Sequence, residues 1–283
     1  MKVGKLSPLL LLWGMFTAHH VFAQQKLQAL RQDAASVPMV VFEPEATAGC
    51  PALALISHGA GGSEDGLHYL ARGLQREGWR VIVIGHRESG PAALRGDQRG
   101  VGLQARLRTL ITDPQAYQFR FLDIEAALRW AEAPCKPAFK ALLGHSMGAA
   151  TVMLEAGAAN KLALQGQQRF AAYVALSPQG PGSIFPVDAW QGLRSPVLSI
   201  TGTRDTALEG NWRPRTLPHA GMPPGCKWLA VTEGATHMNL GGVGGSHTTE
   251  NLTAGLTATF LEALRAGRCA DLPASPGVQL DRK

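Results

Sequence analysis

Short apolar runs alternate with longer stretches of helical period along most of this chain. Segments 37–42, 52–57, 79–84, 139–143, 170–176, 197–200 and 227–231 are brief and rich in Val, Ile, Leu and Ala, the pattern of strands buried on both faces. Between them, 64–77 repeats apolar residues at Leu67, Leu70, Ala71 and Leu74, and 117–133 does so at Phe121, Ile124, Leu128 and Trp130. A further helix is expected to start at Met147, and a closing one covers 252–266. Residues 86–116, rich in Gly, Pro and Arg, read as a long excursion with a helix near 103–111. Strands alternating with helices predict an α/β fold with a mostly parallel sheet covered on both faces. No internal repeat or linker divides it, so 24–270 reads as a single domain and 271–283, with two prolines and no apolar period, as a loose tail.

The first 23 residues stand outside this pattern. Lys2 and Lys5 precede the apolar core 9–16, and Val21-Phe22-Ala23 supplies small residues where a signal peptidase reads. The segment predicts export to the periplasm or medium with cleavage after Ala23. Its apolar part is too short to span a bilayer, so stable membrane insertion is not expected. Cys50, Cys135, Cys226 and Cys269 remain after it, an even count that in an exported protein suggests two disulfides, with three pairings open. No Cys-x-x-Cys is present, which argues against a metal knuckle or a dithiol redox site. At 45% hydrophobic and 17% charged, the chain can bury a large core. The leader carries two lysines and no acid, so the formal charge of +6 falls to +4 without it. The basic residues are scattered and not interleaved with aromatics, which excludes nucleic acid as an expected partner.

Candidate chemistry begins at Gly144-His145-Ser146-Met147-Gly148, directly after the apolar run 139–143. A G-x-S-x-G pattern at a strand-to-helix corner puts the serine on a sharp turn, and glycines two residues to either side permit close backbone packing. Ser146 is therefore the candidate nucleophile. Serine needs a base, and the base needs an orienting acid. Asp205 follows the strand 197–200 and His237 follows the strand 227–231, so both fall at the strand ends that carry Ser146. The plainer alternatives are that Asp205 caps a helix and that His237 is an ordinary loop histidine. Asp123 lies mid-helix and reads as a solvated or salt-bridged residue. His58-Gly59-Ala60-Gly61-Gly62 follows the strand 52–57; its backbone at Ala60, with the amide of Met147, would supply oxyanion donors. Gly59 lets that loop approach closely, and His58 is expected to hold it by hydrogen bonds. A P-loop pattern is absent, so nucleotide binding is not expected.

Four segments carry a family resemblance: 57–63 (SHGAGGS), 144–148 (GHSMG), 176–181 (LSPQGP) and 234–237 (GATH). Over roughly 37–266 the chain resembles the exported dienelactone-hydrolase-like branch of the α/β-hydrolases, which is similar to platelet-activating-factor acetylhydrolases and bacterial polyester hydrolases. The resemblance implies an α/β-hydrolase fold with about eight strands and cofactor-free hydrolysis of carboxylic esters, from small soluble esters to lipids and polymers. Ser146 would be the nucleophile, Asp205 the acid, His237 the base, and Met147 with Ala60 the oxyanion donors. An acyltransferase, thioesterase or amidase could use the same residues, and a binding protein could carry the fold without chemistry. The dienelactone enzymes themselves use cysteine where this chain has Ser146, so their substrate does not carry over. The strand order of this fold implies the pairs Cys50–Cys135 and Cys226–Cys269, at the edge opposite the active site. Segments 86–116 and 179–195 would shape the pockets, with Phe185, Trp190 and Met147 as candidate apolar contacts or, equally, ordinary packing.

Overall fold

The computed structural model describes residues 24–45, 49–95, 102–206 and 210–283; the leader read at 1–23 lies outside them. Nine strands form one sheet: β1 (Gln24–Leu30), β2 (Ser36–Phe42), β3 (Leu53–Ser57), β4 (Arg80–Ile84), β5 (Lys140–His145), β6 (Ala172–Leu176), β7 (Val197–Arg204), β8 (Lys227–Thr236) and β9 (Val278–Arg282). Their spatial order is β1-β2-β4-β3-β5-β6-β7-β8-β9. The six strands from β4 to β8 run parallel, while β1, β2 and β9 pair antiparallel at the two edges. Helices α1 (His68–Arg76), α2 (Pro91–Arg95), α3 (Leu103–Ile111), α4 (Pro114–Glu132), α5 (Met147–Glu155) and α6 (Leu217–Gly221) lie in the connections between the parallel strands, and α7 (His237–Leu240) and α8 (His247–Arg265) lie between β8 and the antiparallel β9.

Strand alternation divides the core into two layers. Leu53 and Leu55 of β3, Ile82 and Ile84 of β4 and Leu142 of β5 face α4 and α5 through Ile124, Ala127 and Val152. Ala54 and Ile56, Val81 and Val83, and Ala141 and Leu143 face α1 and α8 through Leu70, Leu74, Leu256 and Phe260. Because successive strand residues point to opposite faces, a continuous apolar run feeds both layers at once.

The segment expected to be a loose tail instead supplies β9, whose residues 278–282 pair with 228–232 of β8. The sheet thereby has nine strands where about eight were expected, with β1 as the other strand the hydrophobic pattern did not indicate. The helix expected over 64–77 starts only at His68, because Leu67 takes a left-handed conformation with φ 55°. Cys50 pairs with Cys135 and Cys226 with Cys269. Cys50 and Cys135 lie ahead of β3 and β5, and Cys226 ahead of β8, so both bridges sit at the amino ends of the parallel strands. Among the described residues, no helix is long and apolar enough to cross a membrane.

Candidate active site

Ser146 sits between β5 and α5 with φ 56° and ψ −117°, a conformation outside the regions a serine ordinarily takes. Its neighbours hold it there. The Ser146 N–H donates to the Leu176 carbonyl at 3.0 Å, and its own carbonyl accepts from Ala150 N–H at 3.1 Å. The turn is tight enough that a Cβ on Gly144 would stand 2.3 Å from the Gly148 carbonyl, and one on Gly148 would stand 2.0 Å from the Ser57 carbonyl. Only glycine fits at either place.

β7 and β8 deliver the other two predicted residues to the same end of the sheet. Asp205 follows β7 directly and is fully buried. His237 opens α7, where the Thr236 side chain accepts from Asn239 N–H and Asn239 reaches back to the Thr236 amide. That reciprocal cap fixes the backbone on which the imidazole is carried. His237 Nδ1 lies 2.8 Å from Asp205 Oδ1, and His237 Nε2 lies 3.0 Å from Ser146 Oγ. The second Asp205 oxygen accepts from Thr201 Oγ1 at 2.8 Å; the residues a helix capped by Asp205 would occupy, 207–209, lie outside the described ones.

Two residues of the site were not singled out for it in the sequence. Arg215 is buried with its Nε 3.0 Å from Asp205 Oδ1 and 2.9 Å from the Asp205 carbonyl, while its Nη1 donates to the Ser177 carbonyl at 2.7 Å. Burial pushes the Asp205 carboxyl up, but the His237 hydrogen bond and the Arg215 charge outweigh it and hold the group below its usual range. Arg215 Nη2 also lies 3.2 Å from His237 Nδ1. A ring nitrogen carries a hydrogen or a lone pair, not both; with Asp205 ionised, the hydrogen goes to the carboxylate and Arg215 acts through its charge. His145 is the other. Its Nε2 donates to the His237 carbonyl at 2.9 Å, and the two rings lie 4.7 Å apart. Burial, then the nearby His237, pushes the His145 imidazole down to about 3, which keeps it neutral in this role.

The glycine-rich loop after β3 closes over the same place. A Cβ on Gly59 would stand 3.2 Å from Ser146 Cβ, so the loop backbone lies against the serine. His58 holds the loop by hydrogen bonds, with its Nδ1 2.6 Å from the Gly59 carbonyl and its Nε2 accepting from His86 N–H at 3.0 Å. Asp123 is buried and paired with Arg31 at 3.2 Å and His86 at 2.8 Å, so it is salt-bridged and not solvated. Arg215 also lines a cavity of about 740 Å³ between α3 and residues 179–184, with Arg108, Ile111, Pro181, Ile184 and Pro214 among its walls. Phe185 and Trp190 do not line it. Their rings lie 5.4 Å apart in the core layer that also contains Met147, and both side chains are fully buried. Among the described residues, no group of three His, Cys, Asp or Glu side chains could hold a metal.

A sequence profile described as the alpha/beta hydrolase fold matches residues 55–215, more than half of the chain. No curated protein matches the sequence significantly. Among solved structures, an alpha-beta serine hydrolase homologue from Coxiella burnetii is 17% identical at TM-score 0.58, over 84% of this chain and 98% of that one. A proposed dienelactone hydrolase from Klebsiella pneumoniae subsp. pneumoniae is 18% identical at TM-score 0.58, over 83% and 95%. An acylaminoacyl peptidase from Pyrococcus horikoshii is 13% identical at TM-score 0.61, over 92% of this chain and 44% of that one. At such identities the likeness is one of fold, and together with the profile it gives the conclusion that the chain belongs to the α/β-hydrolase fold family.

Proposed function

We propose that this chain is an exported serine hydrolase that cleaves carboxylic esters through an acyl-enzyme. The observation that carries the reading is the chain of contacts Asp205–His237–Ser146 at 2.8 and 3.0 Å, ending on a half-buried serine at a strained corner. His237 takes the Ser146 proton as the oxygen attacks the ester carbonyl, and then protonates the departing alcohol. Asp205 keeps the Nδ1 hydrogen facing inward and stabilises the imidazolium. Met147 and Ala60 offer their backbone amides to the tetrahedral oxyanion. Water, activated by His237 in the second half-reaction, releases the acid and restores Ser146. No cofactor enters any step.

The cavity beside Arg215 supports an acyl or alcohol group of moderate size, with mixed apolar and basic walls. The two disulfides support an oxidising compartment, in keeping with the leader expected at 1–23. The test is hydrolysis of a p-nitrophenyl ester series, acetate to palmitate, by the wild type and Ser146→Ala. The reading expects turnover in the wild type, loss of it in the variant, and an optimum chain length that sizes the pocket. Equal rates in the two proteins would overturn it.

A further inference from the structure

Beneath the glycine-rich loop lies a second Ser–His–Asp chain. Ser57 Oγ is 2.8 Å from His86 Nε2, and His86 Nδ1 is 2.8 Å from Asp123 Oδ2. The three residues are 0%, 1% and 2% exposed, and Arg120 Nη1 donates to the Ser57 oxygen at 3.0 Å. A hydroxyl so enclosed and so engaged has no path to a substrate, which leaves the question of what this chain holds.

It holds Arg120 and His58. The same Arg120 Nη1 donates to the His58 carbonyl at 2.7 Å, and Arg120 Nε donates to Ser89 Oγ at 2.9 Å. The Ser89 carbonyl in turn accepts from Gly61 N–H at 2.8 Å. From the other side, His86 N–H donates to His58 Nε2. A ring nitrogen that accepts carries a lone pair, so the His58 hydrogen is on Nδ1, where it is donated to the Gly59 carbonyl. Both carbonyls ahead of Ala60 are thus drawn into the protein. The described peptide bonds are all trans, and in a trans unit the C=O and N–H point in opposite directions. Pulling the Gly59 carbonyl inward therefore turns the Ala60 N–H outward, on the loop whose Gly59 abuts Ser146.

Resting on the ester-hydrolase reading above, we propose that Arg120 and His58, braced by the buried Asp123–His86–Ser57 chain, are positioning residues that aim the Ala60 amide at the oxyanion. Burial first, and the Arg120 charge second, hold the His58 imidazole well below its ordinary range, so the ring stays in the neutral form this geometry needs. Arg120 touches no substrate in this account. Its guanidinium serves because one planar fork reaches Ser57, His58 and Ser89 together, which an ammonium cannot do.

The test compares the wild type with Arg120→Met and Arg120→Lys, counting functional sites by fluorophosphonate titration so that misfolded protein drops out. Per titrated site, Arg120→Met is expected to lose kcat by roughly 10- to 100-fold, a part of the cost of losing one oxyanion donor, with KM within about threefold. Affinity for a trifluoromethyl ketone, whose adduct carries the oxyanion, should fall by the same factor as kcat. Arg120→Lys should lie between the two. A merely structural role would lower the fraction of titratable sites and leave kcat per site unchanged, and that result overturns the proposal. Should neither variant fold, the ring nitrogens of the wild type decide: ¹⁵N spectra at pH 7 are expected to show neutral His58 with its hydrogen on Nδ1, and an Nε2–H tautomer overturns the inference. A wild type that neither hydrolyses esters nor is labelled overturns the hydrolase reading and this one with it, whereas an active wild type with unaffected variants overturns this one alone.

Discussion

Ser146 occupies positive φ without being glycine, and the hydrogen bonds on either side of it show how the fold holds it there. Such strain persists only where the surroundings over-determine it. Here the surroundings are the two glycine contacts, the Leu176 carbonyl and the first turn of α5. Asp205 and His237 were legible as candidates because each follows an apolar strand at the expected sheet edge. Arg215 and Arg120 were not legible, because arginine is seldom fully buried and nothing in their neighbouring sequence marks them as exceptions. Phe185 and Trp190 took the packing reading of the two open to them, as large apolar residues near a site most often do. Asp205→Asn is expected to lower kcat by about 10³- to 10⁴-fold with little change in KM, since an amide can present its N–H to His237 and reverse the tautomer. Steady-state kinetics on an activated ester checks it. A loss below about tenfold would show that Asp205 does not set the orientation of His237.

The parallel strands β3 to β8 could be read from the sequence because each is a continuous apolar run buried on both faces. β1 and β9 could not. Their sequences, QQKLQAL and VQLDR, alternate with polar residues and lie at the sheet edges with much of their surface exposed. An edge strand of that kind is recognised by its partner's backbone, not by its own hydrophobicity. The disulfides act at the element scale as well. Cys50–Cys135 ties the start of β3 to the start of β5 across a separation of 85 residues, and Cys226–Cys269 ties β8 to the segment after α8 across 43. Each cross-link should stabilise the fold by roughly 2–4 kcal/mol, chiefly by restricting the unfolded chain. Cys50→Ser with Cys135→Ser is therefore expected to lower the unfolding free energy by that amount while leaving kcat per active site intact, because the bridge lies at the strand ends away from Ser146. Denaturant unfolding paired with kinetics separates the two effects; a fall in kcat without a fall in stability would place the bridge in the chemistry.

Across the molecule as a whole, four histidines among the described residues are buried and held below their ordinary range, and three of them, His58, His86 and His145, belong to the site and its supporting loop. Burial is the first cause in each case: it holds His58 and His86 well below 6.5 and His145 at about 3. The unfolded chain binds protons at these positions once the pH falls below about 6.5, and the folded chain does not. More protons bound in the unfolded state means that stability rises with pH and is lost on acidification. The slope approaches about 1.4 kcal/mol per pH unit for each histidine, beginning near pH 6.5 and for His145 ending near pH 3. Unfolding free energies measured at pH 7.5 and pH 5 should therefore fall steeply toward the acid side. Burial pushes the Asp123 carboxyl beside His86 up to about 6, which offsets one part of this slope below pH 6; a stability that rises toward the acid side would contradict the neutral burial of these rings.

An activated nucleophile at Ser146 is read out by the site of covalent labelling with a fluorophosphonate. Intact-mass and peptide mass spectrometry should find one adduct per chain, on Ser146, absent in Ser146→Ala and strongly slowed in His237→Ala. No adduct on the wild type, or an adduct on Ser57 in place of Ser146, would mean that Ser146 is not the nucleophile.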